Sequence, residues 1–158
     1  DCLLSRGLGD VYKRQGFDEG LGDSSLTKLD AQTANWSAEE GKSVFETMLK
    51  SSNNDIQLVF AQNDEMGLGA AQAAEEAGLV VGEDVKIATI DGTKNAMQAL
   101  ADGQLSYVHE YNPLFGETAL EVVEKALAGE EVESYIVVPS EAFDSAEAAQ
   151  AVLADRKY

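Results

Sequence analysis

Three short apolar runs in this 158-residue sequence each end in polar residues of similar chemistry. IQLVFA (56–61) leads into Gln62-Asn63-Asp64-Glu65, VKIATI (85–90) into Asp91-Gly92, and LSYV (105–108) into His109-Glu110. Asn63 offers donors and an acceptor, while ionised Asp91 and Glu110 only accept. Together they can hydrogen-bond the hydroxyls of a polyol. The same residue types also cap helices and make turns, so Asn63 or Asp64 can instead be an N-cap and Asp91-Gly92 a tight turn. Trp36, the only Trp, lies in the polar loop Gln32-Thr33-Ala34-Asn35 just before a helical stretch. Its flat ring can cover the apolar C–H face of a polyol ring, or pack on the helix start as a hydrophobic staple. His109 is the only His and Cys2 the only Cys, so neither a metal-ligand cluster nor a disulfide framework is expected. No nucleophile elbow, Walker loop or dinucleotide fingerprint follows a strand. No catalytic residue, metal or cofactor is therefore assigned.

Those residues need a framework to bring them together. From Gly16 onward, short apolar runs alternate with helical periods. Strands are expected at 26–31, 56–61, 85–90, 105–108 and 132–138, and helices at 37–50, 64–77, 95–101, 114–128 and 145–154. Ser37 and Glu40 have capping-box spacing, Ser145 is an N-cap residue, and Gly78 and Gly129 are helix-stop signals. Gly67 and Gly69 fall inside a helix, where they permit close packing against the sheet. The acidic stretch 129–133 reads as a solvated turn. Pro occurs only at 113 and 139, so no Pro-rich linker divides the chain. The alternation predicts an α/β fold with a doubly wound parallel sheet and right-handed crossovers. Ligands of such sheets bind beyond the carboxyl ends of the strands, where the three polar clusters fall.

Composition narrows the function classes. With 11 Lys+Arg against 29 Asp+Glu the net charge is −18, which repels phosphate backbones and argues against nucleic-acid binding. No apolar run approaches the roughly 20 residues of a transmembrane helix, so no stable membrane insertion is expected. Residues 1–15 (DCLLSRGLGDVYKRQ) show no clear helical or strand period. The part from Ser5 to Gln15 resembles a sequencing-library transposon end translated in frame; the alternative is a native loop and strand leading into Gly16. On the first reading residues 1–15 are an adapter artefact, the natural chain begins upstream of Gly16, and the sequence is a fragment.

Taken in order, Phe60-Ala61-Gln62-Asn63-Asp64-Glu65-Met66 with Gly69-Ala70, then Ile90-Asp91-Gly92, Gly103-Gln104-Leu105, and Glu110-Tyr111-Asn112-Pro113 with Gly116 form a specific set. It resembles the C-terminal half of periplasmic sugar-binding proteins of ABC importers, of the ribose/galactose type. The ending Asp155-Arg156-Lys157-Tyr158 is similar to the galactofuranose-binding branch. The resemblance covers 16–158. It implies the periplasmic binding protein type I fold, in which two α/β lobes joined by three crossings enclose a monosaccharide. Residues 16–110 with 140–158 would form the second lobe, and 111–139 the crossing and an orphan element of the first. The resemblance assigns hydrogen bonds to sugar hydroxyls to Asn63 and Asp91, stacking to Trp36 (Phe is common in relatives), and a further acceptor to Glu110, where ribose binders usually have Gln. The family also uses an Arg upstream of the Gly16-Phe17 position, a role not transferred to Arg14. A periplasmic location, a monomeric full-length protein, an ABC permease partner and no catalysis follow by the same resemblance. The alternative from another class is the effector-binding domain of a sugar-responsive transcription repressor, which shares the fold. Glu110, the ending and the charge of −18 favour transport.

Overall fold

The computed structural model describes residues 2–5, 8–22 and 24–158. Strands and helices alternate along the chain as β1 (Cys2–Ser5), α1 (Leu8–Leu21), β2 (Asp30–Thr33), α2 (Ala38–Ser51), β3 (Leu58–Ala61), α3 (Asp64–Glu76), β4 (Lys86–Asp91), α4 (Lys94–Ala101), β5 (Tyr107–Glu110), α5 (Gly116–Leu127), β6 (Ala142–Phe143) and α6 (Ala146–Leu153). The sheet order is β2-β1-β3-β4-β5-β6. All neighbours run parallel except β6, which is antiparallel to β5. The expected α/β fold with a largely parallel sheet is therefore what the chain adopts. Its parallel strands point their carboxyl ends the same way, so Gln62-Asn63, Asp91 and Glu110 all lie along one edge.

Helix starts follow local chemistry. Ser37, Asn63, Thr93 and Ser145 each stand in extended backbone, and their side chains accept from the amides of Glu40, Met66, Ala96 and Ala148. Each cap satisfies a backbone donor that the first helical turn leaves open. The core lies between the sheet and its helices: Val59, Ile87 and Val108 from the strands meet Phe45, Leu49, Met66 and Met97 from the helices, all at most 1% exposed. Gly67 lets α3 sit on the sheet, since a Cβ there would fall 2.0 Å from Thr89 Cγ2. Gly69, expected to face the sheet as well, instead serves helix–helix packing. Its Cβ would fall 2.0 Å from the carbonyl oxygen of Ala38 in α2.

Several elements differ from expectation. The strand expected at 26–31 is displaced to β2, because pairing with β1 sets Cys2 opposite Asp30; Leu26 and Leu29 are left exposed in the loop before it. Within residues 1–15, which show no clear period in the sequence, 2–5 form β1 and 8–15 begin α1, which runs on to Leu21. β1 lies between β2 and β3, where two parallel neighbours satisfy its backbone. No strand forms at 132–138, and Tyr135, Ile136 and Val137 are exposed. A strand needs a neighbour to take its amides and carbonyls, and this apolar run has none among the described residues. The chain re-enters the sheet as β6, two residues long. α5 has no buried residue; Leu120, Val123 and Leu127 on it are exposed.

Candidate ligand-binding site

Asn63 follows β3 and caps α3. Its Oδ1 accepts from the Met66 amide at 3.0 Å, and its Nδ2 donates to the Trp36 carbonyl at 3.3 Å. The capping alternative raised by the sequence is thus realised, and the side chain still has one N–H and one lone pair to offer. Asp64, beside it, is 1% exposed. It accepts from Thr89 Oγ1 at 2.7 Å and from the amide and Oγ1 of Thr93 at 2.7 and 2.8 Å. Asp64 therefore fastens the start of α3 to β4 and to the start of α4. Burial raises its pKa against these hydrogen bonds.

Asp91 ends β4 with φ +132°, followed by Gly92 at φ +79°. A non-glycine residue in that region is strained, and such residues cluster at functional sites. Burial pushes the Asp91 carboxyl up to about 6, opposed by the Lys13 ammonium and reinforced by the charge of Asp64. Trp36 is a second strained position: it has φ +61°, directly after Asn35 at φ +49°. The staple reading of Trp36 meets an obstacle, because with Ser37 as N-cap the fourth helical position is Gly41, which has no side chain to pack against the ring. The Asn63 amide instead holds the Trp36 backbone beside the end of β3. Glu40 completes only half of its expected capping box, as its carboxylate is taken by Asn35 Nδ2.

Lys13 on α1 joins these groups. Its Nζ donates to the Gln62 carbonyl at 2.7 Å, stands 3.7 Å from Asp91 Oδ1, and lies 5.1 Å from the Trp36 ring centroid. The structure thus brings Trp36, Asp91 and the Gln62 carbonyl around one ammonium, with Asn63 joined to them through the Trp36 carbonyl. Lys13 falls within residues 1–15, whose sequence shows no clear period, so nothing in its spacing points to the site. The Gln62 side chain is fully buried and neither of its amide atoms has a hydrogen-bond partner.

Glu110 ends β5 opposite Asp91 in register, but its carboxylate is already engaged. Oε1 accepts from Arg156 and, at 2.5 Å, from the Tyr158 hydroxyl, and Oε2 accepts from the Glu141 amide at 3.2 Å. Of about four acceptor positions on a carboxylate, one remains on Oε2. Burial opposes ionisation of Glu110, yet the Tyr158 and Arg156 hydrogen bonds outweigh it and hold the carboxyl below its usual range. Burial and the bond to Glu110 push the Tyr158 phenol up to about 12. The segment 155–158 signalled only resemblance in the sequence; nothing in its spacing pointed to Glu110. His109 is exposed on β5. Among the described residues no three His, Cys, Asp or Glu side chains gather to hold a metal ion, and no helix is long and apolar enough to cross a membrane.

An edge lined by an aromatic face, an amide and a desolvated carboxylate is suited to a neutral polyhydroxylated ring, and known proteins point the same way. The family described as periplasmic binding protein domain matches residues 9–131. The chain is 52% identical over 144 residues to the fructose import binding protein FruE of Bifidobacterium longum (strain NCC 2705), covering 90% of this chain and 43% of that protein. It is 34% identical over 118 residues to the galactofuranose-binding protein YtfQ of Escherichia coli (strain K12), covering 73% of this chain and 37% of that one. A crystal structure from Mycobacterium smegmatis in complex with β-D-fucofuranose superposes with a TM-score of 0.87 at 41% identity, covering 98% of this chain and 52% of that one. The chain spans less than half the length of these curated relatives. With the family match extending over most of its residues, this chain belongs to the periplasmic binding protein domain family.

Proposed function

We propose that this chain supplies one wall of the sugar site in the substrate-binding component of a sugar ABC importer. That protein captures a monosaccharide between two lobes in the periplasm and delivers it to a membrane permease, as a monomer and without covalent chemistry. The observation that carries the reading is the placement of Asn63, Asp91 and Glu110 at the carboxyl ends of the adjacent parallel strands β3, β4 and β5, with the Asn63 amide bonded to the Trp36 carbonyl. The Trp36 face stacks on the sugar ring, Asn63 gives one donor and one acceptor, and Asp91 and the open position on Glu110 accept from hydroxyls. The ligands of relatives, which include fructose, galactofuranose and fucofuranose, support a monosaccharide as the ligand.

Residues 16–110 with 140–158 form the second lobe in this reading, and 111–139 crosses to the first lobe, which covers α5. The closed state is then selected by contacts that one sugar makes with both lobes. Residues 1–15 are read as adapter-derived sequence standing in for the lobe's own first strand and helix start. Calorimetric titration of the complete protein with a pentose, a hexopyranose and a hexofuranose tests the function. A site of buried hydrogen-bonding groups should prefer one strongly over the others; equal affinity for all three contradicts it.

A further inference from the structure

Glu110, Arg156 and Tyr158 tie together four parts of the chain that meet beside the proposed site. The Arg156 side chain is 6% exposed and that of Glu110 10%, so this is an ion pair largely removed from water. The Arg156 guanidinium donates to Glu110 Oε1 and, at 2.7 Å, to the Tyr158 hydroxyl, which itself donates to Glu110. It lies 5.2 Å from the Phe143 ring centroid and 5.1 Å from that of Tyr158. Its Nε is buried without an acceptor, so the carboxylate, the phenol and the two rings alone orient it. Glu110 also exchanges backbone and side-chain bonds with Glu141: its amide donates to the Glu141 carbonyl at 2.8 Å, and its Oε2 receives the Glu141 amide. From the other side, the Tyr158 carbonyl accepts from the Lys94 amide at 2.6 Å, while the Tyr111 amide donates to the Asp91 carbonyl at 2.9 Å. Gly92 packs on Glu110 so closely that a Cβ would fall 3.2 Å from its Cα.

We propose that Glu110, Arg156 and Tyr158 form a clasp that holds the segments leaving and re-entering the sheet, and that Glu110 thereby acts mainly as a positioning residue for Asp91. The turn 91–94 is gripped at both ends, by Tyr111 on the Asp91 carbonyl and by Tyr158 on the Lys94 amide. These two grips, together with Asp64, which accepts from the Thr93 amide and Oγ1, hold Asp91 in its unfavourable backbone geometry. Segments 110–111, 141–143 and 156–158 then move as one unit, so any rotation of what lies beyond them turns about this clasp. The consequence for ligand binding rests on the reading of Asp91 as a sugar acceptor; the clasp itself does not.

The test is amide hydrogen exchange followed by NMR on the complete protein and on two variants. Tyr158→Phe keeps the ring beside Arg156 and removes one donor. Glu110→Gln keeps the shape and removes the charge. A charge-assisted hydrogen bond of ordinary strength implies roughly tenfold faster exchange at Lys94 and Tyr111 in each variant, with the amides of α2 and α3 unchanged. Unchanged rates at Lys94 and Tyr111 overturn the clasp. So do rates that rise no more than those of α2 and α3, which would mark a merely structural contact. In the complete protein, Tyr158→Phe should weaken D-fructose binding several-fold although its hydroxyl is committed to Glu110, and undiminished affinity removes the positioning role. Failure of the unaltered complete protein to bind any sugar sinks the sugar reading and leaves the exchange result standing.

Discussion

Asp91 carries two unfavourable features at once: a backbone angle of +132° and a carboxyl pushed up to about 6 by burial. Strain of this kind costs about 1–3 kcal/mol per residue, and the raised pKa adds to it near neutral pH. The unfolded value is 3.8, so between about pH 4 and 6 the folded chain binds more protons than the unfolded one. Stability contributed by this group therefore falls as pH rises through that window. Ligand binding should run the opposite way. Hydroxyls donate to the ionised carboxylate, and protonation removes acceptor capacity. Sugar affinity of the complete protein is expected to be level above about pH 7 and to decline below 6, measured by calorimetry across that range. Affinity that stays flat from pH 7.5 to 5 would mean that no hydroxyl donates to Asp91.

At the scale of elements, what is local was legible and what is distant was not. Ser37, Ser145 and Asn63 can be read as caps because cap chemistry needs only a short polar side chain a few residues before an apolar period. The apolar runs at 56–61 and 85–90 announce β3 and β4 as strands, but not their burial, which alternates: only Val59 and Ala61 in β3 and Ile87 and Thr89 in β4 are fully buried. The apolar run at 132–138 looks alike but has no strand beside it, and periodicity says nothing about partners. Glu110 and Arg156 are 46 residues apart. Their pairing emerges only when β5 and the segment after α6 are placed together, so Glu110 reads from sequence as a free acceptor. Gly69 was visible as a glycine in a helix, but not the helix it meets. The gap it leaves makes a prediction. Gly69→Ala places a methyl against the Ala38 carbonyl, and forcing α2 away from α3 should cost about 1–3 kcal/mol. That loss outweighs the gain in helix propensity of at most about 1 kcal/mol. Urea unfolding should therefore show a lower midpoint for Gly69→Ala; a higher one would mean that the α2–α3 contact is looser than described.

At the scale of the molecule, the striking contrast in burial lies between the sheet with α2, α3 and α4 on one side and segment 111–139 on the other. α5 presents Leu120, Val123 and Leu127 to solvent, with Tyr135 and Val137 also exposed nearby in sequence. Patches of this kind promote association when uncovered. This chain expressed alone should accordingly show concentration-dependent self-association in sedimentation experiments, reduced by the pair Leu120→Glu and Leu127→Glu. A monodisperse monomer that binds sugar tightly by itself would make this chain a self-sufficient binding domain and remove the need for a second lobe.

The central claim, that a sugar is held by groups at the carboxyl edge of this sheet, is tested most directly at Asp91. The measurement is calorimetric titration of D-fructose, and of the sugar preferred in the wider screen, into the complete protein and its Asp91→Ala variant. Loss of a charge-assisted hydrogen bond should weaken binding by about 1.5–3 kcal/mol, or roughly 10- to 150-fold, with the fold retained by circular dichroism. Unchanged affinity in a folded Asp91→Ala variant would contradict the account, because the strained, desolvated carboxylate on which it is built would then have no ligand to hold.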